Sequence, residues 1–328
     1  MAETVMVTGG GGFIGAYVAA ELAHAGHRPV LYDLAAPTWG AAAVLRALPE
    51  APPFIRGDVA DLSELLAALR DHNATRIFHA AALFDPPVSM THPAPCYRVN
   101  IGGTLNVLEA ARAAGMQRVV MASSIAVYAA RQYEPIDEAH PISSPVDGNP
   151  LGPYGASKAA AELIGLTYAS TGLMDFIGLR YSGAYGFGMR YPMYVRPMIE
   201  DAIDGRPVRF ETGGEMPRDY TYVVDIARAT VAALFADPAA LRQRAFNIAT
   251  GGLTRASELA AAVREVLPEA DIEIGPGLND YERSDARMRG ALSIDAAREQ
   301  LGWTPAFDLR AGISDYAERF RAFRRMAQ

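Results

Sequence analysis

The stretch TVMVTGGGGFIG, Thr4 to Gly15, runs from a five-residue β-type segment into four consecutive glycines and then into an apolar helical pattern. Gly9, Gly12 and Gly15 fall in a G-x-x-G-x-x-G spacing. Glycines are needed in such a turn because backbone N–H groups at a helix N-terminus must approach a pyrophosphate closely. The motif alone is a weak signal, since many glycine runs are only turns. Its context strengthens it. The next β-type segment, RPVLYD (28–33), ends in Asp33, 18 residues after Gly15, where an acid accepts hydrogen bonds from ribose hydroxyls. No basic residue flanks it in YDLAAP, so a 2′-phosphate would meet a carboxylate and no cation. The pattern therefore favours NAD over NADP.

Working outward, β-type runs alternate with helical patterns through the first half of the chain. Strands are predicted at PFIRGD (53–58), RIFHAA (76–81), RVVMAS (118–123) and DFIGLR (175–180), and helices near 13–25, 61–70, 97–114 and 154–171. Apolar strands alternating with helices imply βαβ units and a parallel sheet covered on both faces. The expected fold class is therefore α/β, a Rossmann-type doubly wound parallel sheet with a smaller, irregular α/β substrate-binding region toward the C-terminal side. Past residue 180 the pattern loosens into YGFGMRYPMYVRP, with a further strand at AFNIAT (245–250), a helix near 255–267 and helical patterns at the C-terminus. The division that follows is residues 1–178 and 220–250 for NAD, and 179–219 and 251–328 for substrate.

The bulk numbers bound the partners. The chain has 328 residues, half of them apolar, enough for a large core, and its net charge is −7. A negative surface disfavours nucleic acid and anionic membranes. A single cysteine, Cys96, suits a reducing cytoplasm. No apolar run has the length to cross a bilayer, and no His or Cys spacing suggests a metal site.

Asp58 and Val59 close the third strand, where an adenine would lie, and the small side chains of Ala80, Ala81 and Ala82 follow the fourth, where bulk would collide with a cofactor. His79 reads as a satisfied strand histidine.

The stretch PYGASKAAAE (153–162) holds Lys158, the only lysine among 30 lysines and arginines. Tyr154 lies four residues earlier, on the same helical face. An ordinary tyrosine titrates near ~10 and is a poor base at neutral pH. A cation held close favours the phenolate and lowers that value. A compact ammonium can serve both a ribose and the tyrosine, which a planar guanidinium cannot. Ser124, at the end of MASS, supplies a hydroxyl to fix the reacting oxygen; Ser123 reads as closing a turn.

Together Gly9-x-x-Gly12-x-x-Gly15, Asp33, GDV, HAAA, RVNIGGTLNVLEAA, SSIAVY, Tyr154-x-x-x-Lys158, RDYTYVVDIARA and LSIDAAREQLGWTP resemble the extended short-chain dehydrogenase/reductase family. The resemblance is to its NAD-dependent epimerase/dehydratase branch, acting on sugar nucleotides, and covers nearly the whole chain. It implies bound NAD and Ser124, Tyr154 and Lys158 as catalytic groups. It places Asn100 near the active site and adds Asn100, Phe13, Ile14, Ala122 and Tyr181 as cofactor contacts. It also implies a homodimer in which helices near 98–114 and 154–171 form a four-helix bundle.

Dehydratases of the family carry an Asp-Glu pair just after the hydroxyl residue; Ile125 and Ala126 stand there, which disfavours dehydration. The family's R-Y-F-N-V-Y-G becomes RYSGAYG, with Ser182 and Gly183 in place of Phe and Asn, and Ala129 replaces a usual glycine. Its R-x-G-D is blurred into YERSDARMRG. Substrate contacts are expected from Ser124, Tyr154, Gly183, Arg218 and Arg190, and from one of Arg283, Arg287 and Arg289, with Arg283 favoured. The expected activity is epimerisation at a hydroxyl-bearing carbon of a sugar or sugar nucleotide through a transient ketone. The alternatives are an NAD-dependent dehydrogenase of a non-nucleotide sugar, sugar acid or hydroxy compound, and a non-catalytic NAD-binding sensor, which would not need the Ser-Tyr-Lys set.

Overall fold

The structure, a computed structural model, describes residues 2–128, 131–142 and 152–326. The first half runs β1 (Thr4–Thr8), α1 (Phe13–His24), β2 (Arg28–Asp33), α2 (Trp39–Arg46), β3 (Phe54–Arg56), α3 (Leu62–Asp71) and β4 (Arg76–His79). There follow α4 (Pro86–Thr91), α5 (Pro93–Tyr97), a π-helical turn (Arg98–Gly102), α6 (Gly103–Ala113), β5 (Arg118–Ser124), a 3-10 turn (Ile125–Val127), α7 (Gly152–Ser170) and β6 (Phe176–Tyr181).

The second half holds β7 (Gly183–Tyr185), α8 (Val195–Ile203), β8 (Val208–Phe210), β9 (Pro217–Arg218), β10 (Tyr220–Tyr222) and α9 (Val223–Phe235). It continues with β11 (Ala245–Ile248), β12 (Thr254–Arg255), α10 (Ala256–Val266), β13 (Ile272–Ile274), α11 (Asp280–Ala286), α12 (Asp295–Leu301) and α13 (Leu309–Met326).

Seven strands form one parallel sheet in the order β11-β6-β5-β4-β1-β2-β3. Alternation along each strand assigns the two faces. Val5 and Val7 pack with α1, α2 and α9 in one core, whereas Met6 packs with α3, α6 and α7 in another. Both faces are therefore covered, which is why the strands read as continuous apolar runs. This is the doubly wound Rossmann-type fold expected from the sequence. The chain reverses direction between β1 and β4, and that switch point opens a crevice beyond the strands' carboxyl ends.

Strands β3 and β4 stop short of the expected ends, so Gly57 to Val59 and Ala80 to Ala82 leave the sheet and line the crevice edge. The expected helix at 97–114 is divided between α5, the π turn and α6. The turn carries Asn100 inward, where its Oδ1 accepts from Leu83 N at 2.7 Å. Helix α2 has too few turns to show a clear period, yet it buries Ala41, Val44 and Leu45.

Beyond β6 the chain is more regular than its composition suggests. Three short ladders form, β7 with β10, β8 with β13 and β9 with β12. Strand β11 returns to pair with β6 in the main sheet. Helix α13 inserts Ile313, Tyr316, Ala317 and Phe320 into the same core as α1. Among the described residues no helix is long and apolar enough to cross a membrane.

Candidate active site

Gly9 leaves β1 at φ +71, and a Cβ there would lie 2.6 Å from Ala81 N and 2.7 Å from the Ala80 carbonyl carbon. Only glycine lets the loop approach the end of β4 this closely. Gly12 caps α1 without a side-chain hydrogen bond, so the helix presents its first N–H groups toward the crevice. Asp33 Oδ2 accepts from Gly11 N at 2.9 Å. The acid thus braces the glycine loop and stays half-exposed beside it. A loop with no side chains, a helix start and one carboxylate fit the phosphates and ribose of a dinucleotide.

Around this cradle the other expected cofactor contacts divide. Ala80, Ala81 and Ala82 border the loop, half-buried. Asp58 Oδ1 accepts from Ala60 N at 2.9 Å, and Val59 is buried against Gly103. Phe13 and Ile14, at the start of α1, pack on the core. Tyr181 is buried and its hydroxyl meets Thr230 Oγ1 at 2.6 Å, so its side chain faces α9 and not the crevice. His79 is satisfied on both ring nitrogens, by Thr8 Oγ1 at 2.7 Å and Thr104 Oγ1 at 3.0 Å. Burial lowers it to about 3, so it stays neutral.

Tyr154 and Lys158 project from one face of α7 over the end of β5. Lys158 is buried and its Nζ donates to the Ala122 carbonyl at 2.8 Å, with the Tyr154 ring centroid 5.9 Å away. Ala122 thus enters through its carbonyl. Burial lowers the Lys158 ammonium to about 8. Tyr154 is pushed up to about 12 by burial, opposed by a side-chain hydrogen bond from Ser124. The expected lowering of the tyrosine by the lysine is not what this arrangement gives. Desolvation is the largest influence on Tyr154, and the ammonium commits one of its three donors to the Ala122 carbonyl.

Ser124 and Ser123 separate cleanly. Ser124 Oγ accepts from Ala126 N at 3.1 Å and sits beside Tyr154. Ser123 Oγ donates to Glu162 Oε2 at 2.5 Å, deeper under the same helix. Glu162, wholly buried, is one further turn along the Tyr154–Lys158 face and pairs with Arg180 Nη2 at 2.6 Å. Arg180 Nη1 reaches the Tyr128 hydroxyl at 2.5 Å, and that hydroxyl donates to Asn247 Oδ1 at 2.8 Å. Sequence reasoning missed this chain of polar groups, although Glu162 at i+4 from Lys158 was its visible sign. Asn100 Nδ2 donates to Ser157 Oγ at 2.9 Å, tying the π turn to α7. Ala129 lies outside the described residues.

From Tyr154 an aromatic wall leads toward the second half of the chain. Phe84 packs edge-on to Tyr154 at 4.7 Å and to Tyr191 at 5.3 Å. Tyr191 is hydrogen-bonded to Tyr281, which in turn feels Arg218. Arg218 Nη2 donates to Asp285 Oδ2 at 2.8 Å, and Arg289 Nη2 to Asp285 Oδ1 at 2.5 Å. Gly183 leaves room for this: a Cβ there would meet the Arg218 stem at 3.2 Å and collide with the Asp219 carbonyl. The serine before it, Ser182, donates to Asp219 Oδ1 at 2.5 Å. The departure from R-Y-F-N is therefore filled by Arg218 and Asp219.

Arg289, not Arg283, is the partner that joins Arg218. Arg283 is exposed on α11 and pairs with Asp280, because it lies on the outer side of the helix whose inner side carries Asp285. Arg190 and Arg287 are away from this cluster, and both are exposed. Phe84 and Tyr191 escaped sequence reasoning because they lie on separate loops, and Tyr281 and Asp285, on one face of α11, because only packing shows which side of that helix turns inward.

Comparison with known proteins agrees with this geometry. The family model described as NAD dependent epimerase/dehydratase matches residues 5–249. Similar curated proteins include the UDP-glucose 4-epimerase of Rhizobium leguminosarum bv. trifolii, 32% identical over 94% of each chain. That of Mycolicibacterium smegmatis is 33% identical over 96% of this chain and 98% of its own. Among solved structures, the UDP-glucose 4-epimerase of Thermotoga maritima with UDP-glucose superposes with a TM-score of 0.83 at 27% identity, covering 97% of this chain and 99% of that one. The Thermus thermophilus UDP-glucose 4-epimerase in complex with NAD gives 0.79 at 30% identity with the same coverage.

Proposed function

The chain belongs to the NAD-dependent epimerase/dehydratase family and is an NAD-dependent enzyme, and on that premise we propose that it interconverts a UDP-hexose and its 4-epimer. The observation that carries this reading is the continuous path from the Ser124–Tyr154–Lys158 group, along Phe84, Tyr191 and Tyr281, to the paired guanidiniums of Arg218 and Arg289. A proton-transfer group at one end and two cations at the other suit a hexose joined to a diphosphate.

In this reading the loop Gly9–Gly15 and Asp33 hold the cofactor, whose contribution when bound is to accept and return hydrogen at the sugar carbon. Tyr154 takes the proton of the reacting hydroxyl and returns it to the same oxygen when hydride is redelivered to the opposite face of the carbon. Ser124 orients that hydroxyl and favours the phenolate through its hydrogen bond. Lys158 serves the ribose and the electrostatics of the tyrosine. Ile125 and Ala126 offer no acid or base, which supports epimerisation over dehydration. Residues 1–178 and 220–250 form the cofactor region, and 179–219 and 251–328 the substrate region.

We propose further that two copies pair through α6 and α7. Leu105 and Leu163 support this, since they are 42% and 51% exposed on these neighbouring helices. The reducing cytoplasm is the proposed compartment, consistent with the unpaired, buried Cys96.

The test incubates purified protein, NAD and UDP-glucose or UDP-galactose, following nicotinamide absorbance and product stereochemistry. Inverted product without net NADH is expected. Stoichiometric NADH would replace the epimerase reading with a dehydrogenase. Tyr154→Phe should lower turnover by at least ~10²-fold while NAD binding persists.

A further inference from the structure

Six buried side-chain nitrogen or oxygen atoms among the described residues have no hydrogen-bond partner, and three of them meet in one place: Arg218 Nε, Arg289 Nε and the Tyr220 hydroxyl. Tyr220 and Arg289 are 4% and 8% exposed. Burying a donor unpaired costs about 1–3 kcal/mol, so unpaired donors are rare and do not gather by accident. At the centre stands Asp285, 2% exposed, with one carboxylate oxygen on each guanidinium. Two cations share one anion. The cluster keeps one uncompensated positive charge and three unused donors, and burial together with the neighbouring Arg218 depresses the pKa of Arg289.

We infer that Asp285 sets the anionic charge this seat accepts: it holds Arg218 and Arg289 together and competes for them with a substrate diphosphate. The inference rests on the reading of this cluster as the diphosphate end of the site. The physical reason is that carboxylate and diphosphate need the same guanidinium N–H groups. An anion reaching the free Nε edges lies within a few ångströms of the carboxylate. At that range, in a buried site, repulsion between like charges is only weakly screened. The sequence supplies a carboxylate here within YERSDARMRG, where Asp285 and Arg289 are four residues apart.

Isothermal titration of NAD-loaded protein with UDP, UMP and uridine tests this. Asp285→Asn keeps the shape and removes one negative charge. It should bind UDP about tenfold tighter, gain less for UMP and leave uridine unchanged. If wild-type protein binds UDP no better than uridine, the diphosphate reading itself fails. If it does prefer UDP and Asp285→Asn binds UDP equally or more weakly, the role of Asp285 is overturned while that reading stands. Should Asp285→Asn not fold, Arg289→Gln makes the opposite change by removing the surplus charge. UDP affinity should then fall about tenfold with uridine unchanged, and unaltered UDP affinity would overturn the inference.

Discussion

Lys158 carries a charge into a place where charge is costly. Its folded pKa of about 8 lies below the ordinary 10.5 because burial opposes the ammonium. Between these two values the unfolded chain holds a proton that the folded chain has released. Unfolding free energy therefore rises with pH across that window, and the cost of the buried ammonium is felt in full below about 8. We predict that NAD-free wild type gains stability relative to Lys158→Met between about pH 7 and pH 10, measured by urea denaturation. A gap between the two proteins that does not change with pH would contradict the assigned burial. The choice of lysine was legible from the sequence, since it is the only one in the chain. Its effect on Tyr154 was not, because the balance between a nearby cation and desolvation depends on how deeply both groups are buried.

Helix α7 shows how one element combines chemistry with support. Tyr154, Lys158 and Glu162 recur every four residues and so line a single face. The first two meet the crevice; the third locks the helix to β6 through Arg180 and to β5 through Ser123. Removing one partner of a buried ion pair strands the other, at a cost of about 3–5 kcal/mol. Arg180→Met is therefore expected to lower unfolding free energy by about that amount in chemical denaturation, whereas a loss under ~1 kcal/mol, typical of exposed pairs, would argue against a supporting role. The element itself was readable from its helical pattern. The division of the 97–114 segment was not, because the π turn goes with a tertiary contact, Asn100 with the Leu83 backbone in the loop between β4 and α4.

For the whole molecule, the proposed pairing through α6 and α7 has a direct readout. The double variant Leu105→Glu/Leu163→Glu places two charges per subunit in the proposed interface, where unpaired charge is strongly disfavoured. Wild type should sediment as a dimer and the variant as a folded monomer. A wild-type monomer, or a variant that still dimerises, would remove this interface from the proposal.

The sequence by itself determined the sheet, the glycine loop with its acid, and the Tyr-Lys helix. Each of these is encoded locally, in periodicity, in residues that only a turn tolerates, or in a four-residue spacing. It also indicated Arg218 as the cation of the second half. Only the tertiary structure decided that Arg289 joins it instead of Arg283, that Asp285 stands between them, and that Phe84, Tyr191 and Tyr281 connect this cluster to Tyr154. Tyr281, Asp285 and Arg289 share a four-residue spacing, but Phe84, Tyr191 and Arg218 come from separate loops and strands. Their meeting is fixed by how the second half of the chain packs onto the sheet, and no local rule of spacing records that.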